Sequence, residues 1–417
     1  MMSHQLRWIL VIGFLINFVL GSVLVWSVFR PPLHEPPYNT PTSFSTLPYS
    51  ISVLFFGLAM MLASKLLLRI GLIRVSFKGS VLIGLGYLIC STISFSPSLT
   101  ILVLSVGFGI VVGFGTGLIY IIPIAMINRL MSGNKGFALG FVLMGFGLSA
   151  LLTAPLSDVL IKTLGISFAF LTLGIVYLAI LSFLSFALKR LIITYRPDFL
   201  CLNSEARLHN EASENPLSKT LLRKRTFYLT WVTYAIGIGI GHAIIAFAKL
   251  IAIDIGGLKG DLDYLATYAV SILAIGNTVL RPFYGMIADN AGPKHALIIV
   301  QLVQLLCLTI LLPISNNLPI LYLTLFLMGG TYGAYFVVMP LLTSFLYGGR
   351  YFEQNYGVLF TAYGVGGVSI PMFFSVILNN RSDINGYIQS FYSLAVLIIL
   401  ALILTQFIKP SLENTTN

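Results

Sequence analysis

The chain has 417 residues, of which 57% are hydrophobic and only 9% are charged, with a mean hydropathy of +0.95 and a formal net charge of +11. A soluble domain carries about 25% charged residues, so the composition excludes a soluble protein and indicates a polytopic membrane protein. In such a protein the positive charge is better explained by topology than by a nucleic-acid partner, and none is expected.

Apolar runs long enough to cross a bilayer recur twelve times along the chain. Each is predicted to be α-helical, because hydrocarbon offers backbone groups no other hydrogen-bond partner. The first run is too long for a typical cleaved signal peptide and is predicted to be the first span. The predicted spans are residues 7–29, 47–68, 75–96, 99–128, 135–160, 165–189, 225–252, 264–288, 294–314, 318–346, 354–379 and 386–408.

The one long polar stretch lies between the sixth and seventh runs and ends in Arg223-Lys224-Arg225. It predicts a linker between two halves: an N-terminal six-helix half at 1–190, a cytoplasmic linker at 191–223 and a C-terminal six-helix half at 224–417. The predicted fold class is an all-α membrane protein with twelve transmembrane helices in two pseudo-symmetric six-helix halves.

Positive charges are distributed unevenly between the two sets of span ends. The ends that include the linker carry 18 Lys and Arg residues, and the opposite ends carry five. By the positive-inside rule the linker and both termini are predicted to be cytoplasmic. The expected location is the cell (plasma) membrane, as a multi-pass protein.

Several glycines and prolines of spans four and five recur 217 residues later in spans ten and eleven. An offset kept across two helices and a loop argues against chance. Parallel repeats of this kind are typical of transporters, whose substrate site lies between the halves near the bilayer midplane. The pairs are Gly113 and Gly330, Pro123 and Pro340, Gly140 and Gly357, and Gly147 and Gly364.

Span eight contains the motif Asn277-x-x-x-Arg281-Pro282, whose spacing places Asn277 and Arg281 on one helix face. Arg281 lies about 12 Å along the helix axis from Asp289 at the span end, near the middle of the hydrocarbon layer. A charge there costs about 2.5–3.5 kcal/mol, so Arg281 is predicted to bind an anion. Asn277 would hold the guanidinium or contact the substrate. The alternative is a snorkelling or structurally paired arginine.

His242 lies in span seven, roughly 17 residues beyond the end of the linker, and is placed near mid-membrane. Histidine can carry a proton at physiological pH, although it can also serve only in helix packing. Asp158, Asp254, Asp261 and Asp263 fall at predicted outer ends, so no carboxylate relay is expected inside the membrane. Proton coupling would therefore use His242 or a proton travelling with the substrate; otherwise the protein is an exchanger or a uniporter.

The motif Gly285-x-x-x-Asp289-x-x-Gly292-x-Lys294 ends span eight on the predicted cytoplasmic side. Its carboxylate can meet a neighbouring helix N-terminus or a basic side chain and so latch one conformation. The pattern resembles the loop motif of the major facilitator superfamily. In the first half of the chain Leu68 stands where the aspartate is expected, so the latch should be stronger in the second half.

Four pieces of the sequence carry a more specific resemblance: Gly117-x-x-Tyr120 through Asn128-Arg129, Lys135-Gly136-x-Ala138-x-Gly140-Phe141, Asn277-x-x-x-Arg281-Pro282-Phe283 and Asn355-Tyr356-Gly357. Together they resemble the oxalate:formate antiporter family within that superfamily. The resemblance implies twelve spans, aromatic side chains lining a cavity, and two cations that hold a dicarboxylate. It assigns the span-eight cation to Arg281 and a span-four tyrosine to Tyr120.

The chain departs from the family at several site positions. Tyr363 stands where the family has its second cation, a lysine on span eleven. Phe146 replaces a tyrosine on span five, and Tyr332 replaces a tryptophan on span ten. On span one Val23-Leu24 replaces a Gln-Tyr pair, although Trp26 follows as in the family.

One central cation in place of two favours a substrate with a single charge, because an unpaired charge in low dielectric is costly. The predicted substrate is a small organic anion, most simply a monocarboxylate such as formate, lactate or pyruvate. Tyr363 would donate its hydroxyl, and Phe146, Tyr332, Phe336 and Phe360 would form an apolar wall. A coupled proton or a counter-anion is a further expected partner, besides the lipid bilayer.

Other classes of membrane protein fit less well. A membrane-embedded enzyme would need a nucleophile–base pair, paired carboxylates or a metal cluster, and neither His-x-x-x-His nor Cys-x-x-Cys occurs. No Walker motif indicates ATP-driven transport. A sugar carrier would have more Asn, Gln and Trp, and a drug carrier an acidic residue. No catalytic residue, metal or cofactor is therefore expected.

Overall fold

The computed structural model describes residues 4–41, 44–95, 97–131, 133–195, 221–258, 260–349, 351–379 and 384–409. In these ranges every regular element is a helix, and twelve helices are long and apolar enough to cross a membrane. The predicted all-α class with twelve spans is confirmed; most of the predicted linker (196–220) lies outside the described residues. The spans, numbered one to twelve, are Leu6–His34, Leu47–Leu67, Leu72–Ser91, Thr100–Leu130, Lys135–Leu164, Ile166–Thr194, Arg225–Asp254, Tyr268–Ala291, Pro293–Leu311, Leu318–Tyr347, Phe352–Leu378 and Ile384–Gln406.

Span one continues past its predicted end at residue 29, through a last helical segment, Trp26–His34. The segment that follows the span folds back and binds it. The indole Nε1 of Trp26 donates to the Ser45 carbonyl at 2.8 Å, and Arg30 Nε donates to Ser45 Oγ at 3.1 Å. These tertiary contacts stabilise the last helical segment of span one, which hydropathy alone does not predict.

Four spans depart locally from α-helical geometry, which the sequence did not predict. Span one contains the 3₁₀ turn Gly21–Val25, and span four contains the π-helical segment Ser105–Val112. Span nine ends in a π-helical segment, Cys307–Leu311. Span eleven consists of two helices that meet at Phe360. Such segments allow a helix to bend without losing its backbone hydrogen bonds.

The turns that follow spans two and eight share one backbone conformation. Gly71 has φ 83° and ψ 159°, and Gly292 has φ 87° and ψ 153°. Each N–H bonds the carbonyl four residues earlier, of Leu67 and Ala288 respectively. A positive φ is strained for residues with a Cβ, so glycine is required at both turns. The two turns, 221 residues apart, therefore share one structure although they fall outside the 217-residue offset of the predicted repeat.

Residue contacts divide the chain into two compact units, each described here by itself. Unit 1 comprises residues 1–126, 148–220 and 353–361, and unit 2 comprises residues 127–147, 221–352 and 362–417. One boundary, at 220/221, falls between spans six and seven, and the others fall inside spans four, five and eleven. The predicted division into halves 1–190 and 224–417 stays a prediction about the chain.

Candidate functional site

Arg281 lies in span eight, within unit 2, and its side chain is 0% exposed. Its Nε donates to the Asn277 carbonyl at 2.9 Å, and its Nη2 donates to Asn277 Oδ1 at 2.9 Å. Its Nη1 donates to the Leu143 carbonyl of span five at 2.6 Å. Snorkelling is therefore the wrong account of this arginine, because its guanidinium points into the protein. The three hydrogen bonds match the other alternative, an arginine paired within the structure, and anion binding by Arg281 stays a prediction.

Asn277 fixes the plane of the guanidinium through two oxygens of one residue. Four residues separate the two side chains, so this arrangement is local to one turn of span eight. In the structure Asn277 holds the guanidinium through these hydrogen bonds, and its contact with a substrate stays a prediction. All three oxygens that accept these hydrogen bonds belong to neutral groups.

Aromatic rings connect Arg281 to His242. The guanidinium carbon lies 5.0 Å from the centre of the Phe336 ring, a cation–π arrangement. Phe336 in turn contacts Tyr332 at 5.2 Å and Tyr363 at 5.5 Å between ring centres. Both tyrosines contact the His242 ring, at 5.0 and 5.1 Å. All five side chains are buried, and together with Asn277 we call them the arginine–aromatic cluster.

Span five approaches span eight closely around Arg281. A Cβ added at Gly140 would lie 2.5 Å from Pro282 Cα and 2.6 Å from the Arg281 carbonyl oxygen. A Cβ at Gly147 would lie 2.6 Å from Thr278 Oγ1. Phe146 is buried on this same segment of span five. The glycines bring the Leu143 carbonyl within reach of the guanidinium.

Span ten approaches Arg281 through Gly333, a residue that the sequence did not single out. A Cβ at Gly333 would overlap the Asn277 carbonyl oxygen and would lie 2.8 Å from Asn277 Oδ1 and 3.0 Å from Arg281 Cγ. The available signal was the spacing Gly329-x-x-x-Gly333, which puts two small residues on one helix face. The Leu143 carbonyl was also missed, because a backbone acceptor leaves no trace in sequence.

Trp26 and Tyr120, also predicted as site residues, lie in unit 1. Trp26 packs on Phe108 at 4.5 Å, and its indole N–H is used by the Ser45 carbonyl. Tyr120 contacts Phe56 at 5.1 Å and Phe360 at 5.9 Å. Phe360, expected in the same apolar wall as Phe336, thus belongs to unit 1 together with Tyr120.

Asp289 of the motif that ends span eight caps the N-terminus of span five. Its carboxylate oxygens accept hydrogen bonds from the backbone N–H groups of Gly136, at 2.7 Å, and Phe137, at 2.9 Å. These N–H groups belong to the first turn of Lys135–Leu164 and have no acceptor within that helix. The carboxylate also complements the positive end of the helix dipole.

The remaining motif residues have separate structural tasks. Gly285 lies against the backbone of Gly136, and a Cβ on either would overlap the other's carbonyl oxygen. Gly292 ends the helix with its positive φ. Lys294 Nζ donates to the carbonyls of Gln406 and Ile408, both at 2.9 Å, and so binds the C-terminal end of span twelve.

Twelve apolar helices, with a buried arginine among aromatic and polar side chains, are the architecture of a multi-pass solute carrier. Among the described residues, no group of three or more His, Cys, Asp or Glu side chains is placed to hold a metal ion. The sequence matches the Major Facilitator Superfamily over residues 9–371 and again over 240–416. The chain belongs to the Major Facilitator Superfamily, as the loop motif indicated, and is a membrane transporter, not an enzyme.

Several relatives cover most of the chain, and three of them are described here. YhjX of Escherichia coli K12, an uncharacterized MFS-type transporter, is 26% identical over 370 residues, which cover 88% of this chain and 87% of the relative. The oxalate:formate antiporter of Oxalobacter formigenes is 23% identical over 308 residues, 72% of this chain and 68% of the relative. Monocarboxylate transporter 12 of Xenopus laevis is 27% identical over 307 residues, 69% of this chain and 64% of the relative.

Among solved structures, the proton:xylose symporter XylE bound to 6-bromo-6-deoxy-D-glucose superposes with a TM-score of 0.73. It shares 15% sequence identity and covers 96% of this chain and 95% of the symporter. At this identity the likeness establishes the fold.

Proposed function

We propose that this chain is a secondary transporter that moves a small organic anion, a monocarboxylate, by alternating access. The observation that carries the proposal is the position of Arg281: fully buried, oriented by Asn277 and faced by an aromatic ring. A planar guanidinium binds a carboxylate through two parallel hydrogen bonds. The carboxylate of the substrate neutralises this charge while the site is occluded.

The cluster favours one negative charge over two. Tyr363 stands where the oxalate:formate antiporter family would place a second cation, and it contributes a hydroxyl group and ring surface instead. Phe336 and Tyr332 add apolar surface beside the guanidinium. A short monocarboxylate matches this combination, and a relative named as a monocarboxylate transporter supports the assignment.

The second candidate is exchange of oxalate and formate, which is favoured by the Oxalobacter relative. In that case the second carboxylate of oxalate must find compensation away from Arg281. The two candidates differ in how the protein ranks mono- and dicarboxylates.

In this proposal both termini and the linker face the cytoplasm, and the cap formed by Asp289 on span five latches one conformation. The motif is degenerate at Leu68 in the first half, so the second half supplies the stronger latch. The two six-helix halves rock about the central site, and the latch opens when span five moves away from span eight.

A thermal-shift panel on purified protein tests the substrate class. Binding to the folded state raises stability by mass action, so formate, lactate and pyruvate should raise the melting temperature more than oxalate or succinate. The shift should disappear in Arg281→Ala and persist in Arg190→Ala, which removes an exposed arginine stacked on Phe186 at 5.4 Å. Stabilisation by oxalate alone favours the second candidate, and unchanged stabilisation of Arg281→Ala rejects Arg281 as the anion site.

A further inference from the structure

We propose that His242 is the proton-binding site of this carrier and that its proton moves across the membrane together with the anion held by Arg281. The inference rests on the function proposed above, since it assigns a co-substrate to the same site. The observations behind it are two hydrogen bonds and two aromatic ring contacts of the His242 imidazole.

The hydrogen bonds of His242 define which nitrogen receives the proton. Nδ1 lies 3.2 Å from the Ile238 carbonyl, which can only accept, so Nδ1 carries hydrogen. In the neutral imidazole Nε2 then holds a lone pair. It lies 3.4 Å from the Tyr332 hydroxyl, which is therefore the donor. The lone pair on Nε2 is the atom that binds the transported proton.

Protonation of Nε2 reverses this hydrogen bond. The new N–H donates to the Tyr332 oxygen, and the tyrosine's own O–H turns to another acceptor. A carboxylate at Arg281 supplies that acceptor, because Tyr332 and the guanidinium contact the same Phe336 ring. Protonation thus turns Tyr332 into a donor for the anion, and by linkage the anion favours the protonated imidazole to the same degree.

The charges around the imidazole support cooperative binding. With the anion absent, the Arg281 charge across the ring cluster disfavours a second cation at His242. The titratable groups in ring contact with His242 are Tyr332 of span ten and Tyr363 of span eleven. On its own helix Lys249 and Asp254 lie about 10 and 18 Å further along the axis, and Asp254 accepts a hydrogen bond from Tyr387 of span twelve.

Charge is balanced when both ligands bind. The empty site carries the single positive charge of Arg281. The loaded site carries Arg281, one carboxylate and the imidazolium of His242, which again sum to one positive charge. The loaded and empty carriers therefore differ in no net charge, so the transported pair is electroneutral.

Uptake of external labelled lactate or pyruvate into proteoliposomes tests the coupling directly. With one-to-one coupling, a gradient of one pH unit, acidic outside, supports about tenfold accumulation of the anion. The free acid also equilibrates with the pH gradient by diffusion, so accumulation is compared with protein-free liposomes at early times, before diffusion alone reaches that ratio. His242→Gln should reduce the accumulation ratio to that of protein-free liposomes. His295→Gln, which removes a histidine bonded in the same way to its Ala291 carbonyl but exposed, should preserve it.

Proton uptake by the wild-type protein in weakly buffered detergent solution keeps the test independent of mutant folding. After lactate or pyruvate is added, the protein should take up about one proton for each anion that it binds. Anion binding without proton uptake, or full accumulation by His242→Gln, overturns the proton site and leaves the carrier proposal standing. Absence of anion binding and transport by the wild type overturns both.

Discussion

Arg281 is prepared for a ligand by the turn of helix that carries it. Two of its nitrogens donate to the carbonyl and the side-chain oxygen of Asn277. A free arginine side chain has about 2 kcal/mol of rotamer entropy, and a side chain that is already ordered loses less of it on binding. Preorganisation therefore compensates in part for the presence of a single cation in the arginine–aromatic cluster.

Replacing Asn277 by aspartate should place a carboxylate beside Arg281 that competes with the carboxylate of the substrate. The new carboxylate would lie one turn from Arg281 and pair with it permanently. We expect the concentration of monocarboxylate for half-maximal uptake to rise at least about tenfold, or 1.4 kcal/mol. Uptake kinetics in proteoliposomes measure this, and wild-type kinetics in Asn277→Asp would show that the anion does not depend on the guanidinium.

The residue pair itself could be predicted from sequence, because a four-residue spacing places Asn277 and Arg281 on one helix face. The third acceptor, the Leu143 carbonyl, could not, because every residue has a carbonyl and only helix packing selects one. The same holds for the contact of His242 with Tyr332, which depends on the relative rotation of spans seven and ten.

At the scale of elements, glycines let spans five and ten approach the backbone of span eight around Arg281. Gly140 faces the Arg281 carbonyl from span five, and Gly333 faces the Asn277 carbonyl from span ten. Without a hydrophobic drive between helices in lipid, such close contacts supply much of the association. They also fix the position of the guanidinium relative to the rings of span ten.

Gly333→Ala should therefore displace Asn277 and Arg281. Overpacking against backbone costs about 1–3 kcal/mol, and the half-maximal anion concentration in the thermal-shift assay should rise about tenfold. Gly330→Ala is the matched control on the same helix, because the atom nearest its Cβ would be the Cδ1 end of the Leu280 side chain, which can move, and not backbone. Equal effects of the two substitutions would contradict a positioning role for Gly333.

The cap on span five is a second device at this scale. Asp289→Ala should remove acceptors from the amides of Gly136 and Phe137 and cost about 0.5–2 kcal/mol. Hydrogen exchange of these two amides should accelerate accordingly. Asp158→Ala, at the other end of span five in an exposed pair with Lys162, should leave them unchanged. Unaltered exchange in Asp289→Ala would show that the carboxylate does not hold this helix end.

Hydropathy predicted the twelve spans because apolar length is a property of the local sequence. It did not predict the π-helical segment Ser105–Val112 or the junction at Phe360, since these depend on packing between helices. The helical continuation of span one through Pro31 was missed for the same reason: contacts with Ser45 hold it.

For the whole molecule, the two halves predicted from the sequence repeat differ from the two units that residue contacts define. The repeat predicts halves joined by the linker, whereas contacts group residues 127–147 with the C-terminal spans. The sequence repeat identifies two continuous stretches of the chain. Contacts between residues depend instead on the conformation that the chain adopts. A carrier that alternates between conformations changes such contacts, so the units could not be predicted from the sequence.

The central claim is that a monocarboxylate crosses the membrane bound to Arg281. Initial uptake of labelled lactate and pyruvate into proteoliposomes tests it most directly, with wild type, Arg281→Ala and Arg190→Ala at matched protein density. The account predicts saturable uptake by the wild type and by Arg190→Ala, and a fall to the rate of protein-free liposomes in Arg281→Ala. Saturable uptake by Arg281→Ala at the wild-type rate would contradict it.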